Sequence, residues 1–402
     1  MKNLNKLAYA LCLASALGAS AAHAQNATPI RIGLPVPLTG PYGAEAKDQV
    51  RNAELAVKEF NDAGGLDGRK AELLVRDDKL NPGEAAQRAL DLIEKDKVNY
   101  IVGGLSAATQ LSTNNITKQR KVIYISISQS DAINEAADMS RYTFHEAFNP
   151  HMTTQALGRH LFKKGMRIAF LTADYAYGHE MARGFTAVAE EMGAKIVGEV
   201  KHPLGTSDYS IFLPRLQALK PDILIFNNFG RDNQISIKQA GEFGMKKNTQ
   251  FATPVLLYTA RQAAGPKVYE NVIGATSYYW AIEDKSPSAK ALNDHYKAAY
   301  NGAYPSDYGA LAYSAVKSLL EAVKKAGTTD TEKVVDTLAA LKYDTYKGPQ
   351  YYRACDHQSV QSVLIIESKE ADPKNPDDVF KIVDEVPPTE DILRSCAELG
   401  FK

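Results

Sequence analysis

The chain has 402 residues, with 47 basic and 47 acidic side chains, so no net field draws it to nucleic acid or anionic lipid. It is too long for one ordinary core and fits two domains. Beyond the N-terminal two dozen residues, no apolar run reaches the length of a membrane span.

The N-terminus reads MKNLNK, then the apolar run LAYALCLASALGASAA, then Ala22-His23-Ala24 before Gln25. A positive start, a short apolar stretch and a small-x-small site make residues 1–24 a cleavable secretory signal, which predicts a periplasmic mature protein. Two cysteines remain after cleavage, Cys355 and Cys396. In an oxidising compartment such a pair is expected to form a disulfide, with two free thiols as the alternative.

From residue 30 short apolar runs alternate with amphipathic helical patterns. Residues 30–38 read as a strand, 44–61 as a helix ended by Gly64-Gly65, 70–78 as a strand, 81–95 as a helix and 98–104 as a strand. A helix from Ala107 and strands at 121–128 and 142–148 complete a first unit. The series restarts with a helix at 150–164, a strand at 166–174, a helix at 178–192, a strand at 195–203, a helix at 207–219, a strand at 221–229 and a helix at 232–243. Two helices follow (286–300 and 307–325), then strand-like sequence at 348–358 and 360–368. Such alternation predicts an α/β fold of two lobes with parallel sheets, and a cleft at the carboxyl ends of their strands.

The segment VGGLSAATQ carries the most chemistry. A strand ends in Gly103-Gly104 and a helix follows at once, so the amides of Ser106 and Ala107 face the cleft as an anion site. The next strand ends in ISISQSD, which sets Ser128, Gln129 and Ser130 beside them. Ordinary helix capping is the competing explanation for each serine. Gly104-Leu105-Ser106-Ala107-Ala108 also has the outline of a nucleophile elbow, but its last glycine is replaced and no Asp and His follow in strand-end contexts, so a secreted serine hydrolase is a distant alternative. The eight histidines lack metal-ligand spacing, and no phosphate or dinucleotide motif occurs. No metal, cofactor or catalytic residue is expected.

IGLPVPLTGPYG, FNDAGGLDGRKAELLVRDD, VGGLSAATQ, DYAYGHEMARGF and PDILIFNNFGRDN, in this order, resemble the solute-binding proteins of branched-chain amino-acid ABC importers, of leucine-binding type. The resemblance implies the type I periplasmic-binding fold: two Rossmann-like lobes joined by three crossings, placed near Phe148-Asn149, Val272-Ile273 and Gly348-Pro349. The first lobe then takes 25–148 and 273–348, and the second takes 149–272 and 349–402 with the C-terminal tail. It also implies a monomeric carrier that closes on a small molecule and docks on an ABC permease with its ATPase subunits. Carried onto this chain, the ligand carboxylate falls to Ser106, Ala107, Gln129 and Ser130. Tyr42 from the first lobe and Tyr177 and Phe229 from the second line the cleft, while Tyr175 is assigned to packing or lobe contact.

One departure bears on the cargo. Where relatives place an acid for the ligand ammonium, this chain has Val255, Leu256 and Leu257, and no Asp or Glu occurs between Phe251 and Lys267. An ammonium buried without a partner is costly. With Leu256 in the site and Tyr258, Tyr278, Tyr279 and Trp280 nearby, the expected ligand is an aromatic acid. A hydrophobic amino acid is the alternative, its amine met by Asp232 or Glu283.

Overall fold

The computed structural model describes residues 28–402, so the signal-sequence reading lies outside the described residues. The apolar runs at β1 (Ile30–Val36), β3 (Tyr100–Gly103) and β4 (Ile123–Ser126) are almost wholly buried, as strands covered by helices on both faces must be. With β2 (Ala71–Asp77) and β5 (Thr143–His145) they form a parallel sheet ordered β2-β1-β3-β4-β5. The connecting helices are α1 (Gly43–Asp62), α2 (Pro82–Glu94) and α3 (Ala107–Arg120).

After α4 (Pro150–Leu161) the chain builds a second sheet from β6 (Arg167–Ala173), β7 (Lys195–His202), β8 (Ile223–Asn227), β9 (Gln250–Val255) and β10 (Ile273–Thr276). Its helices are α5 (Ala176–Met192), α6 (Leu213–Ala218), α7 (Gly230–Glu242), α8 (Tyr258–Ala264) and α9 (Pro266–Tyr269). The chain then returns to the first lobe, where α10 (Pro287–Ala299) and α11 (Asp307–Ala326) pack on α1 and α12 (Thr331–Ala339) follows. The Asp48 carboxylate, for example, accepts from Tyr296 (2.6 Å) and from the Ser306 amide (3.0 Å). A small antiparallel sheet of β11 (Lys342–Tyr343), β12 (Gln350–Tyr352) and β13 (Ser359–Val360) precedes β14 (Val363–Ser368) and β15 (Phe380–Val386). These last two add antiparallel strands to the second sheet, giving β15-β14-β10-β9-β8-β6-β7.

Four details differ from the sequence reading. Residues 350–360 and the tail from Arg394, assigned to the second lobe, lie against the first: the His145 amide donates to the His357 carbonyl (3.0 Å) and Phe144 stacks on His357, so the third crossing falls between Val360 and Val363 rather than at Gly348-Pro349. Residues 273–276, assigned to the first lobe, pair with β9 and β14 in the second sheet, so the crossing follows Thr276. Gly274 makes this possible, because a Cβ there would lie 2.7 Å from the Leu256 side chain. The helix expected over 207–219 shrinks to α6, since Asp208 turns the chain by accepting the Ser210 amide (2.9 Å) and Pro214 suits only a helix start. Strands β9 and β15 were not anticipated.

The three crossings meet in a buried polar knot. The Lys347 ammonium donates to the Ser277 carbonyl (2.9 Å), the Gln361 side-chain oxygen (2.6 Å) and the Ser362 carbonyl (2.8 Å). The Gln361 amide in turn donates to the Glu146 carbonyl, and the Glu146 carboxylate accepts from Ser314, Tyr343 and Tyr352. Burial pulls the Lys347 pKa down to about 7, against the opposing pull of Glu146. Cys355 and Cys396 are disulfide-bonded, with Cα atoms 6.1 Å apart. This bond holds the tail where the Leu399 carbonyl accepts the Ala136 amide (2.9 Å) and Arg394 pairs with Glu135 (2.6 Å).

Candidate functional site in the interlobe cleft

Helix starts locate the site. Every helix leaves its first amides without intrahelical partners, and a side-chain cap is the usual remedy. Asn81, Asn149, Ser286, Ser306 and Asp330 supply such caps to α2, α4, α10, α11 and α12. The other long helices, α1, α3, α5 and α7, begin at Tyr42, Ser106, Tyr175 and Phe229, and none of these side chains caps its helix. All four begin between the lobes. The amides at the start of α3 suit an anion, whereas first-turn amides of α1 and α7 are taken, Gly43 by the Gly40 carbonyl (3.3 Å) and Arg231 by the Pro41 carbonyl (3.2 Å).

The turn before α3 is built for close approach. Gly103 and Gly104 have φ of 112° and 96°, and a Cβ would strike Leu34 at 2.1 Å in the first case and the Tyr124 hydroxyl at 2.9 Å in the second. Ala107 opens α3, and Ser106 precedes it with its hydroxyl unspent on the helix. At the neighbouring strand end the Ser128 hydroxyl and the Gln129 side-chain oxygen are buried and have no partner. Such groups are costly in a folded chain unless something meets them. Ser130 differs: its hydroxyl donates to Glu180 of the second lobe (3.3 Å) and accepts the Ala132 amide (3.2 Å). It serves the lobe contact.

Aromatic rings join the lobes. Phe229 meets Tyr42 edge-on at 4.9 Å, Tyr308 at 5.2 Å and Tyr177 at 6.1 Å. The Tyr42 and Tyr175 hydroxyls are hydrogen-bonded at 2.8 Å, which makes Tyr175 the lobe contact expected of it. The Arg231 amide donates to the Pro41 carbonyl (3.2 Å), Thr259 donates to Glu45 (2.8 Å) and the Asp131 amide donates to Glu180 (3.1 Å). The lobes are thus drawn together on both sides of the cluster. Burial raises the Tyr42, Tyr177 and Tyr308 pKa values well above the usual tyrosine range, so all three hydroxyls stay neutral.

Leu256 falls outside this cluster. Its amide pairs with the Ala275 carbonyl (2.9 Å) and its side chain lies against Gly274, inside the second lobe. The acids offered for an amine are also committed elsewhere: Asp232 accepts the Gly205 amide (2.8 Å) and Glu283 accepts from Asn293 (2.6 Å). Tyr308, Glu45 and Thr259 reach the cleft without having been foreseen. As for the hydrolase alternative, the buried His145 spends Nδ1 on Asn134 (2.8 Å) and Nε2 on the Ser128 carbonyl (2.6 Å), leaving no free nitrogen to activate Ser106. Among the described residues no group of three His, Cys, Asp or Glu side chains gathers as a metal site, and no helix is long and apolar enough to cross a membrane.

Two α/β lobes, three crossings and a cleft of uncapped helix starts define a two-lobed solute-binding protein. The chain belongs to the periplasmic binding protein family, whose model matches residues 29–373. It is 26% identical over 368 residues to the Leu/Ile/Val-binding protein homolog 7 of Brucella abortus (strain 2308), covering 87% of this chain and 89% of that one. The leucine-, isoleucine-, valine-, threonine- and alanine-binding protein of Pseudomonas aeruginosa is 25% identical over 346 residues, 84% of this chain and 89% of that one. A crystal structure of a periplasmic binding protein from Burkholderia mallei superposes with a TM-score of 0.84 at 29% identity, covering 92% of this chain and 97% of that one. The protein is therefore the periplasmic solute-binding component of an ABC transporter, of the leucine-binding kind. Its fold and relatives are those of transport proteins, and the family implies a small-molecule ligand and an ABC permease as partners.

Proposed function

We propose that the cleft captures a small carboxylate with an apolar or aromatic body and presents it, lobes closed, to the permease as a monomeric carrier. The carrying observation is the uncapped start of α3 at Ser106, beside the unpartnered Ser128 hydroxyl and Gln129 side-chain oxygen. The carboxylate is assigned to the amides of Ser106 and Ala107 with Ser128 and Gln129, and the body to Tyr42, Tyr177, Phe229 and Tyr308. Ligand contacts with both lobes favour the closed form, and only such a difference in affinity between forms can drive closure. Within this class the names of the relatives favour hydrophobic amino acids. The expectation of a plain aromatic acid rests on the absence of an acid between residues 251 and 267 and on the aromatic residues Tyr258, Tyr278, Tyr279 and Trp280.

Thermal-shift screening of the mature protein against hydrophobic amino acids and aromatic acids tests the proposal. A ligand at a hundred times its Kd adds about 2.7 kcal/mol of stability. Ser106→Ala combined with Gln129→Ala should abolish most of that gain. If no small carboxylate stabilises the protein, the proposal is wrong.

A further inference from the structure

Besides the three crossings, the chain passes between the lobes a fourth time, after β15. That strand leaves the second sheet at Val386, which pairs with Val363, so it ends beside the point where the third crossing enters. Pro387 and Pro388 follow, then one 3-10 turn at Glu390–Ile392 that lies against α4 of the second lobe. Tyr351 on β12 reaches the Glu390 carboxylate from the other side (3.0 Å). Beyond the turn the chain is anchored on the first lobe. The Arg394 carbonyl accepts from Arg353 (2.9 Å), the Arg394 guanidinium pairs with Glu135 (2.6 Å), and the Leu399 carbonyl accepts the Ala136 amide (2.9 Å). Chain ends fray unless tied down, and an ion pair as exposed as Arg394–Glu135 is worth at most about 1 kcal/mol. The tie is Cys396, bonded to Cys355 just ahead of β13.

We infer that residues 387–393 are a strap across the hinge, fastened by the Cys355–Cys396 disulfide, that limits how far the lobes open. The covalent loop between the two cysteines starts in the first lobe, enters the second as β14, turns back through β15 and returns. The β14–β15 hairpin is thus tethered to the first lobe at both ends. Little slack is available. Pro387 and Pro388 have φ fixed near about −65°, so the strap lengthens mainly by unwinding its 3-10 turn. Stretching three residues from about 2.0 to about 3.3 Å each releases about 4 Å. Wider opening must pull Arg394 from Glu135 and Leu399 from Ala136, and then meets the disulfide. An open form confined in this way has less freedom to lose when the lobes close on a ligand. That holds for any cargo of the cleft.

The test uses the ligand-free mature protein with spin labels on noncanonical residues at positions 79 and 204, so that no cysteine is added. Lys79 follows β2 and Leu204 follows β7; both are exposed at the carboxyl ends of their sheets, and their separation reads the mouth of the cleft. Pulsed electron resonance compares three forms. The first has the native strap, and the second carries Cys355→Ser with Cys396→Ser. The third has about eight Gly and Ser residues inserted between Pro388 and Thr389, which lengthens the strap and keeps its anchors and disulfide. In both altered forms the distance distribution should broaden and move outward by about 4 Å or more, with near-ultraviolet circular dichroism still native. A lengthened strap that leaves the distribution unchanged overturns the inference, because the tail then packs without restraining the hinge. A folded cysteine variant that matches the native form also overturns it, because the fastener is then idle. If the cysteine variant does not fold, the lengthened chain decides alone.

Discussion

Gly230 offers a way to separate closure from folding. It has φ of 57° and directly follows Phe229; a Cβ there would sit 2.7 Å from Cδ1 of Tyr42 and 3.0 Å from the Pro41 carbonyl, both in the opposite lobe. In Gly230→Ala the left-handed backbone costs about 1 kcal/mol whether the lobes are open or closed. The clash exists only when they are closed. Relieving it means backing the first-lobe loop away, which loses the hydrogen bond from Arg231 to Pro41, worth about 1 kcal/mol, and much of the Tyr42–Phe229 edge contact, worth about 1 kcal/mol more. The closed form then loses about 2 kcal/mol, which is about thirtyfold in Kd. Gly244→Ala is the control, since Gly244 has φ of 78° and nothing within 4 Å of the place a Cβ would take. Both variants should lower Tm by similar amounts. Only Gly230→Ala should weaken ligand binding in calorimetry and blunt the ligand-induced fall in radius of gyration by small-angle scattering. A Kd within about twofold of wild type, with Tm lowered as in the control, would refute the reasoning.

Replacing Cys355 and Cys396 by serine opens a loop with sequence separation 41 and should lower stability by about 4 kcal/mol in denaturant unfolding on the chain-entropy account. Burial and the Asp131 charge hold Glu180 above the usual carboxyl range. The folded chain thus keeps a proton that the unfolded chain, titrating near 4, has released. Stability should fall as pH rises from about 4 through neutrality, and Glu180→Gln should flatten that fall in Tm measured across pH. Lys347→Met strips donors from the Ser277 and Ser362 carbonyls and from Gln361. With each orphaned group costing about 1 kcal/mol or more, a loss of about 3 kcal/mol is expected in thermal or denaturant unfolding.

The layout of the first sheet was legible because each of its strands is a short apolar run closed by a helix of clear periodicity. The failures have local causes. In β9, QFATPV, proline and threonine interrupt the apolar run, yet the strand is held by parallel pairing with β8 and β10 that no local pattern records. The stretch at 207–212 has helix-compatible apolar spacing, but the Asp208 turn and Pro214 decide against a helix before Leu213. Ile211 is correspondingly exposed. The boundary near residue 273 slipped because a crossing is a property of pairing partners, and β10 gains one of its two from β14, almost a hundred residues later.

The site divides along the same line. Ser106, Ala107 and Gln129 could be proposed from the sequence because a strand end followed by a helix start is a local signal. Tyr308 could not, because its relation to Phe229 is tertiary and the local sequence Ser306-Asp307 reads as an ordinary cap followed by an acid in the first turn. Ser306 does cap α11. What sets Asp307 apart is that an acid placed to complement a helix dipole normally sits in water, whereas this one is buried and meets no side-chain donor. The same accounting works in reverse at the opening of α3, where Ser106 has the identity of a cap and does not act as one. Residue type alone misreads both helix starts, in opposite directions. Asking where each buried donor and acceptor finds its partner corrects both.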